Sequence, residues 1–334
     1  MSRLPRQFQK VQDKALLNAI ELGLDLVEAE LTLAVANTDA IVDAASRHLL
    51  TAGGKRVRPV LVLLTAQLGD ASREEVIRAA VVSELTHLAT LYHDDVMDEA
   101  PTRRGVPTAQ KVYGNSVAIL AGDILLARAS QIGVDLGAES LKLQAETFER
   151  LCLGQLHETT GPAEGEDQLA HYIQVMADKT GSLLASSALM GVIHSNANPA
   201  YRVPVSEFAE KIGIAFQLID DVIDISEEGP SGKTPGTDLR AGVPTLPTLL
   251  LERAAAAGDA EARELLAFIA AGLEDDARLA EALRRLRAHP VAAEAEQEAK
   301  RWADEAVKAL APLPDTAVKR ALEQFAEAVV NRDN

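Results

Sequence analysis

Two short segments of the chain carry clustered carboxylates. The segment LYHDDVMDEAPTRRG, residues 91–105, places three aspartates within five residues and two arginines soon after them. The same D-D-x-x-D spacing recurs in QLIDDVIDI. On a helix, residues i and i+4 lie on one face, so Asp94 and Asp98 point the same way, as do Asp220 and Asp224. Like charges placed in this way repel each other and require compensation.

A hard divalent cation would compensate these carboxylates. Mg²⁺ binds carboxylate oxygens, retains several waters and completes its shell with phosphate oxygens. Both clusters adjoin apolar helix, LTHLATLYH and IAFQLI, where unpaired aspartates are rare. A solvated acidic face is the alternative for one cluster alone, and a transition-metal site with His93 is a second, although His93 has the wrong angular position to share a metal with Asp94. The repeated cluster favours a cage for several Mg²⁺ ions and a diphosphate.

Cations are available to bind such a diphosphate. The segment GGKRVRP provides three of them where a loop enters a helix, whose first N–H groups also attract anions. Guanidinium groups match phosphate oxygens well. Each cation alone could be an ordinary surface charge, but together they suffice for two diphosphates. They are Lys55, Arg56, Arg58, Arg103, Arg104, Lys179 and Lys233.

Composition disfavours several kinds of partner and indicates the cellular compartment. The 334 residues carry a net charge of −17, which disfavours nucleic acid and anionic membrane surfaces. Cys152 is the one cysteine, which fits a reducing cytoplasm. The N-terminal residues do not resemble a signal peptide, and no apolar run approaches the roughly 18 residues of a transmembrane segment. We therefore expect a cytoplasmic protein.

Helical periodicity dominates the sequence. It predicts about a dozen helices, among them 73–99 with the first cluster, 167–193 with Lys179 and 204–226 with the second cluster. No alternating strand pattern and no hairpin dipeptide in a suitable context is found. We expect one all-α bundle over residues 1–334. The Gly- and Pro-rich segment 227–244 is predicted to be a functional loop that could act as a lid.

Six segments, in their order and spacing, resemble the trans-isoprenyl diphosphate synthases, or polyprenyl synthetases. They are GGKRVRP, HDDVMDEAPTRRG, GNSVAILAGDILLARA, DKTGSL, FQLIDDVIDI and GKTPGTDLRAGVPTLP, and the resemblance covers about residues 50–250. It implies a large helical bundle of the isoprenoid synthase type around a deep central cavity, and a homodimer. It also implies a Mg²⁺-dependent prenyltransferase, with three ions per site, that adds isopentenyl diphosphate to an allylic diphosphate by successive 1′-4 condensation.

The resemblance also implies individual roles. Metal ions would be bound by Asp94, Asp98 and Asp220, with Asp95, Asp221 and Asp224 in support. The allylic diphosphate would be bound by Arg103, Lys179 and Lys233. Isopentenyl diphosphate would be bound by Lys55, Arg58, His87 and Arg104. Thr180 and Gln217 would be a polar pair lining the cavity. Where short-chain members often have G-Q followed by Asp, this chain has GQLHET, and Gln155 and Glu158 receive no role.

The helix before the first cluster bears on product length. The side chains one to three turns before Asp94 are all small: Ala89, Thr90, Thr86 and Ser83. In the resembled family a bulky aromatic one turn below the first aspartate stops chain growth, so the resemblance implies a product longer than geranylgeranyl diphosphate, in the heptaprenyl to decaprenyl range used for quinone side chains. The alternative is that these residues only permit close helix packing. The floor would then come from elsewhere, for example from Leu120, Leu125 or Met190.

Other functions remain open at this stage. A short-chain farnesyl or geranylgeranyl synthase would share every motif. A class I terpene cyclase would not need Lys55, Arg58 and His87, and a non-catalytic partner subunit would have lost the aspartate clusters. A metal-dependent pyrophosphohydrolase would require water at the site, which the apolar surroundings do not favour.

Overall fold

The computed structural model describes residues 4–5, 8, 11–226 and 235–330. The helices are α1 Lys14–Ala34, α2 Ala40–Thr51, α3 Val57–Ala66, α4 Glu74–Met97, α5 Ala109–Tyr113, α6 Asn115–Leu136, α7 Ala138–Thr160, α8 Gln168–Met176, α9 Ser182–His194, α10 Arg202–Asp224, α11 Thr237–Ala241, α12 Leu246–Ala256, α13 Ala260–Ala270, α14 Asp276–Ala288, α15 Pro290–Ala309 and α16 Ala317–Val330. A π-helical turn spans Ala177–Gly181 and a 3₁₀ turn spans Pro199–Tyr201. The prediction of an all-α bundle is confirmed.

The buried apolar side chains form two clusters. One is built mainly from α1–α6, α9, α10 and α16, and the other from α8 and α10–α15. Helix α10 supplies buried residues to both, because Phe208 and Ile212 lie in the first and Leu218 and Ile219 in the second. Helix α10 therefore joins the two clusters, and its C-terminal end, which carries the second group of aspartates, packs in the second. A single domain over 1–334 stays a prediction.

Helix α4 is the central element of the first cluster. It packs against α1, α3, α6 and α9, and apolar side chains from Val76 to Tyr92 are buried around it. The helix ends at Met97, and Asp98 is its C-cap, whose N–H donates to the carbonyl of Asp94 at 2.8 Å. Pro101 follows closely, and the residue before a proline disfavours helical geometry. The first cluster thus occupies the last turn of a buried helix.

A two-stranded hairpin follows α4, and the expectation of no strands was wrong here. Its strands are β1 Thr102–Arg103 and β2 Val106–Pro107, paired antiparallel. Arg104 and Gly105 form the turn with φ of 54° and 79°, and a two-residue hairpin turn of this kind requires positive φ at both positions. Arginine rarely adopts positive φ, so the dipeptide gave no hairpin signal. The turn directs Arg103 back towards α4.

The predicted helix 167–193 is interrupted. The π-helical turn Ala177–Gly181 separates α8 from α9, and such turns occur often at functional sites. Buried Asp178 anchors the turn, because the Nε of Arg150 donates to its carboxylate at 2.7 Å. Helix α10 approaches the turn so closely that a Cβ on Gly213 would lie 2.8 Å from the Cα of Gly181. The wide turn displaces Lys179 from regular α-helical spacing.

Helix α6 is apolar along much of its length. Among the described helices it is the one long and apolar enough, by composition, to cross a membrane. It contacts α4 most extensively and also α2, α5 and α7, as a helix of the bundle does. Only 33% of its most apolar 18-residue window is buried, so part of its apolar surface faces outwards. Ile119, Leu120 and Val134 are among the exposed side chains.

We predict that Gly191→Ala destabilises the fold by about 2–3 kcal/mol through overpacking. Helix α9 crosses α3 at this glycine, and a Cβ there would lie 2.1 Å from the Oγ1 of Thr65 and 2.3 Å from the carbonyl oxygen of Val62. Gly23→Ala is the matched control, because its Cβ would meet only the flexible end of Leu63. Urea denaturation of both variants measures the effect, and equal losses would contradict the packing argument.

Candidate active site

The three aspartates of the first cluster lie in three different environments. Asp95 is buried and is held by Arg103, whose Nε and Nη2 lie 2.7 and 2.6 Å from its Oδ1. Asp94 lines a cavity of about 460 Å³ between α4 and α7. Asp98 is exposed at the end of the helix. Asp94 and Asp98 are therefore the two members of the cluster that face space rather than protein.

Asp94 lies among charged groups and is partly buried. Its pKa is raised to about 6, chiefly by burial; Lys179 opposes the shift and Asp98 adds to it. Lys179 reaches the site from the π-helical turn and forms an ion pair with Glu158 of α7. Gly154 makes the approach possible, because a Cβ there would lie 2.9 Å from the backbone nitrogen of Lys179. Acid and base are thus brought together by three separate elements.

Two residues left without a role by the sequence belong to this site. Glu158 pairs with Lys179, and Gln155 lines the cavity together with Asp94. The Oε1 of Gln155 and the Oδ2 of Asp95 are buried with no hydrogen-bond partner among the described residues. Buried oxygens without donors are costly, so a donor or a cation is expected beside them. The segment GQLHET was the available signal, and its difference from the short-chain pattern obscured it.

The three aspartates of the second D-D-x-x-D cluster also lie in different environments. Asp220 is exposed. The carboxylate of Asp221 accepts hydrogen bonds from the backbone N–H of Leu246, at 2.8 Å, and from the hydroxyl of Tyr172, and burial raises its pKa to about 7. The carboxylate of Asp224 accepts from the backbone N–H groups of Thr237 and Asp238 at 3.2 and 3.3 Å. Two of the three aspartates therefore bind protein backbone rather than facing the site.

The arrangement fits Mg²⁺ bound jointly with a substrate. No group of three His, Cys, Asp or Glu side chains in residues 4–226 and 235–330, as far as they are described, forms a complete metal site by itself. Mg²⁺ does not require one, because it keeps waters and uses one or two carboxylates plus substrate phosphates. Asp94 and Asp98 supply hard oxygen ligands, and the unpartnered oxygens of Asp95 and Gln155 lie in the same region. His93 instead approaches the carbonyl of Ile119 on α6 at 3.2 Å, which argues against the transition-metal alternative.

A cationic pocket lies beside the first cluster. Burial lowers the pKa of His87 well below its usual value, and Arg58 and Arg104 lower it further, so these groups are close together. Burial also lowers the pKa of Arg58 to about 10, and its buried Nε has no hydrogen-bond partner within the described part of the chain. Arg104 donates to the carbonyl of Leu49 at 2.8 Å. Lys55 is exposed at the rim of the same loop.

One buried carboxylate balances this pocket. Glu84 is 1% exposed, lies 2.9 Å from the Nη1 of Arg56 and lies 3.9 Å from Arg104. Arg56 has φ of 50° and also pairs with Glu28, so it is committed to the protein rather than to a ligand. Sequence reasoning missed Glu84. The signal was a glutamate on the apolar stretch VVSELTHL, where a charge needs a partner.

The cavity beside Asp94, called the upper cavity, runs along α4 and α7, and a second one, the lower cavity, lies nearer the middle of α4. The residues lining the upper cavity are Thr90, His93, Asp94, Met97, Phe148, Leu151, Cys152, Gln155, Leu156, Thr159 and Lys179. The lower cavity is much smaller, lies between α4, α7 and α9, and is lined by Val82, Ser83, Thr86, Gln144, Thr147, Leu183, Ser186 and Met190. On α7 the upper lining ends at Phe148 and the lower lining begins at Thr147. Phe148 is the only Phe, Tyr or Trp in either lining, and it adjoins in the chain Thr147, which lines the lower cavity.

The structure distributes the predicted chain-length residues unequally. Thr90 lines the upper cavity, whereas Thr86 and Ser83 line the lower one. Ala89 lines neither and is fully buried in the packed core. Of the alternative floor residues, Met190 lines the lower cavity. The other two line neither cavity, since Leu125 is buried in the core and Leu120 is 59% exposed.

Thr180 and Gln217, the predicted polar pair, lie on two elements that contact each other. Thr180 follows Lys179 on the π-helical turn, and Gln217 lies on α10 one turn before Asp221. Both are half-buried and line neither cavity. Lys233 lies outside the described residues, as does the part of the predicted lid at 227–234.

Comparison with known proteins gives a consistent assignment. A family model described as polyprenyl synthetase matches residues 39–286. Nonaprenyl diphosphate synthase of Mycobacterium tuberculosis is 42% identical over 324 residues, which cover 96% of this chain and 95% of that protein. The predicted resemblance is therefore confirmed.

Solved structures agree with this result. Geranylgeranyl pyrophosphate synthase from Corynebacterium glutamicum, complexed with calcium and isoprenyl diphosphate, superimposes with a TM-score of 0.87 and 41% identity, covering 97% of this chain and 99% of that one. Decaprenyl diphosphate synthase from Rhodobacter capsulatus gives 0.85 and 30%, covering 95% and 98%. With the motifs, the fold and these relatives in agreement, the chain belongs to the polyprenyl synthetase family of prenyltransferases.

Proposed function

We propose that this protein is a Mg²⁺-dependent trans-polyprenyl diphosphate synthase. It joins isopentenyl diphosphate to an allylic diphosphate by repeated 1′-4 condensation. The observation that carries the proposal is the position of Asp94, a desolvated carboxylate facing Lys179 at the mouth of an apolar cavity. A separate cationic pocket beside it provides a second diphosphate site. An elongating enzyme needs such a site, whereas a terpene cyclase does not. The aspartate clusters are intact, which disfavours a non-catalytic subunit.

The allylic diphosphate binds between the first cluster and Lys179. Asp94, Asp98 and Asp220 would hold the Mg²⁺ ions, three in the family's pattern, and Arg103 and Lys179 would bind the diphosphate oxygens together with Lys233, which lies outside the described residues. When bound, Mg²⁺ neutralises the charge that develops on the departing diphosphate. Asp95 keeps Arg103 oriented through their ion pair, and Glu158 does the same for Lys179. These residues are therefore already placed before substrate arrives.

Isopentenyl diphosphate binds in the pocket formed by Lys55, Arg58, His87 and Arg104. His87 is neutral there, because burial and the neighbouring guanidinium groups lower its pKa. It can therefore donate one hydrogen bond to a phosphate oxygen without adding another buried charge. Glu84 limits the repulsion among the arginines before the anion arrives.

The reaction requires the two substrates to meet at the cavity mouth. The allylic C1–O bond breaks and its electron pair leaves with diphosphate. The double bond of isopentenyl diphosphate then forms the new carbon–carbon bond, and a proton passes to the released diphosphate. The apolar lining, including Phe148 and Leu151, keeps water from the cation and receives the growing chain.

The product is proposed to lie in the heptaprenyl to decaprenyl range. Small side chains at Thr90, Thr86 and Ser83 support a path from the upper into the lower cavity. The nonaprenyl and decaprenyl synthases among the relatives support the same range. A geranylgeranyl product is the second candidate, favoured by the bulk of Phe148 in the lining of the upper cavity and by the similarity to a geranylgeranyl synthase.

The protein is also proposed to be a cytoplasmic homodimer. Ile119, Leu120 and Val134 lie on one side of α6 with exposed side chains, which a second copy would bury. The single cysteine is consistent with a reducing compartment.

We predict that Asp94→Asn lowers kcat at least about a hundredfold, because it removes a ligand for the metal-bound leaving group. Asp135→Asn is the control, since this exposed aspartate near the end of α6 lines neither cavity. Purified protein, Mg²⁺, isopentenyl diphosphate and farnesyl diphosphate are incubated, and products are identified by mass spectrometry. Absence of any prenyl product from the wild-type protein would refute the proposed function.

Product length provides a second test. Phe148→Ala is expected to lengthen the product by removing bulk from the lining of the upper cavity, and Thr90→Phe to shorten it by closing that cavity. Leu22→Phe, at an exposed position of α1, serves as a control for added bulk. The chain lengths are measured by mass spectrometry. A wild-type product that ends at geranylgeranyl, together with lengthening in Phe148→Ala, would support the second candidate.

The dimer proposal predicts that Leu120→Arg weakens self-association, because a charge would be buried in an apolar interface. Light scattering after size exclusion measures the mass, and the wild type should have twice the chain mass of 35.6 kDa. Lys142→Arg, on an exposed position of α7, is the control. A wild-type mass equal to one chain would contradict the proposal.

A further inference from the structure

The hydroxyl of Tyr172 takes part in a three-element junction. Tyr172 lies on α8 and is 9% exposed. Its hydroxyl donates to the Oδ2 of Asp221 on α10, and the backbone N–H of Leu246, the first residue of α12, donates to the same oxygen at 2.8 Å. One carboxylate oxygen therefore joins α8, the end of α10 and the start of α12.

The last turn of α10 binds both ends of the described segment 236–246. The carbonyl of Asp224 accepts from Gly236 N–H at 2.7 Å, and its carboxylate accepts from the first N–H groups of α11. Asp221 holds the far end of the segment at Leu246. The segment thus leaves and returns to the same last turn of α10, which also carries Asp220.

The geometry sets Asp221 apart from its neighbour. Asp220 is exposed, whereas the Oδ2 of Asp221 already accepts two hydrogen bonds from the protein. A metal ion would compete with both donors for that oxygen. The side chain at position 221 must therefore place an acceptor oxygen between the two donors. The hydroxyl of Tyr172 holds that oxygen in position.

We propose that Tyr172 is a positioning residue, which acts through the Asp221 carboxylate to orient Asp220 and to hold the segment Thr237–Leu246 beside the active site. This inference rests on the proposed function for its catalytic consequence, but its structural consequence can be measured without turnover. It assigns Asp221 the role of hydrogen-bond acceptor in place of the supporting role in metal binding that the family resemblance implies.

Tyr172→Phe tests the proposal by deleting one hydroxyl group. We expect kcat to fall about tenfold, the loss of one charge-assisted hydrogen bond. The Mg²⁺ concentration for half-maximal activity should rise severalfold, while KM for isopentenyl diphosphate stays unchanged, because the cationic pocket lies on other elements. Tyr201→Phe is the matched control, since Tyr201 precedes the opposite end of α10, about 30 Å from Asp221 at 1.5 Å per residue. An unchanged Mg²⁺ requirement in Tyr172→Phe would overturn the proposal.

Substitutions at the aspartates separate acceptor geometry from charge. Asp221→Asn keeps an acceptor oxygen and should lose no more activity than Tyr172→Phe, about tenfold, whereas Asp221→Ala should lose more. Asp220→Asn should be as impaired as Asp94→Asn. If Asp221→Asn were as impaired as Asp220→Asn, position 221 would act through its charge and the proposal would be wrong.

Hydrogen–deuterium exchange tests the junction independently of catalysis. In Tyr172→Phe, peptides covering residues 237–250 should exchange faster than in the wild type, and peptides from α4 should be unchanged. Failure of the proposed function would leave this result intact, whereas unchanged exchange in residues 237–250 would overturn the positioning role.

Discussion

Charge compensation inside an apolar helical bundle is the constraint on which the rest of this structure depends. An uncompensated charge in such a setting costs several kcal/mol, so each must have a partner or be left where a ligand can reach it. Asp95 is compensated by Arg103, and Glu84 by Arg56. Asp94 faces Lys179 across the cavity instead of closing a direct pair, and its pKa is raised to about 6 as a result of burial. The paired residues stabilise the bundle, whereas Asp94, which is incompletely compensated, lies at the candidate active site.

The same division gives each of the two identical motifs two roles. In each D-D-x-x-D cluster, one aspartate is taken up by the protein and another faces outwards. Asp95 binds the hairpin through Arg103, and Asp221 binds α12 through Leu246. The clusters therefore serve as anchors for the segments that follow them as well as metal-binding candidates. A helix end suits both purposes, because its last turn can present side chains to a loop and to a cavity simultaneously.

The apolar part of the site is built by small residues and close packing. Gly154, Gly191 and Gly213 allow α7, α9 and α10 to approach their neighbours at distances that any larger residue would prevent. The two cavities beside α4 are lined by residues of α4, α7, α9 and the π-helical turn. The proposed control of product length consequently depends on several helices together rather than on α4 alone.

Much of the fold was accessible from the sequence. Helical periodicity and Gly or Pro breaks located most elements, including α4 and α10 to within two residues at each end, because these signals are local. The order and spacing of the motifs were enough to indicate the family. The hairpin was missed because Arg104 adopts a backbone conformation that arginine seldom does, and the π-helical turn was missed because its hydrogen bonding depends on Asp178 and on α10.

The sequence by itself determined the helices, the repeated aspartate motif and the family, since each is written in neighbouring residues. Only the tertiary structure decided which aspartates face the cavity, that Glu84 balances the arginines, that Gln155 and Glu158 belong to the site, and that Ala89 lies in the core while Phe148 lines the cavity. The physical reason is that burial and charge partners are set by helices distant in the chain, and a helical period states which residues share a face without stating what that face meets.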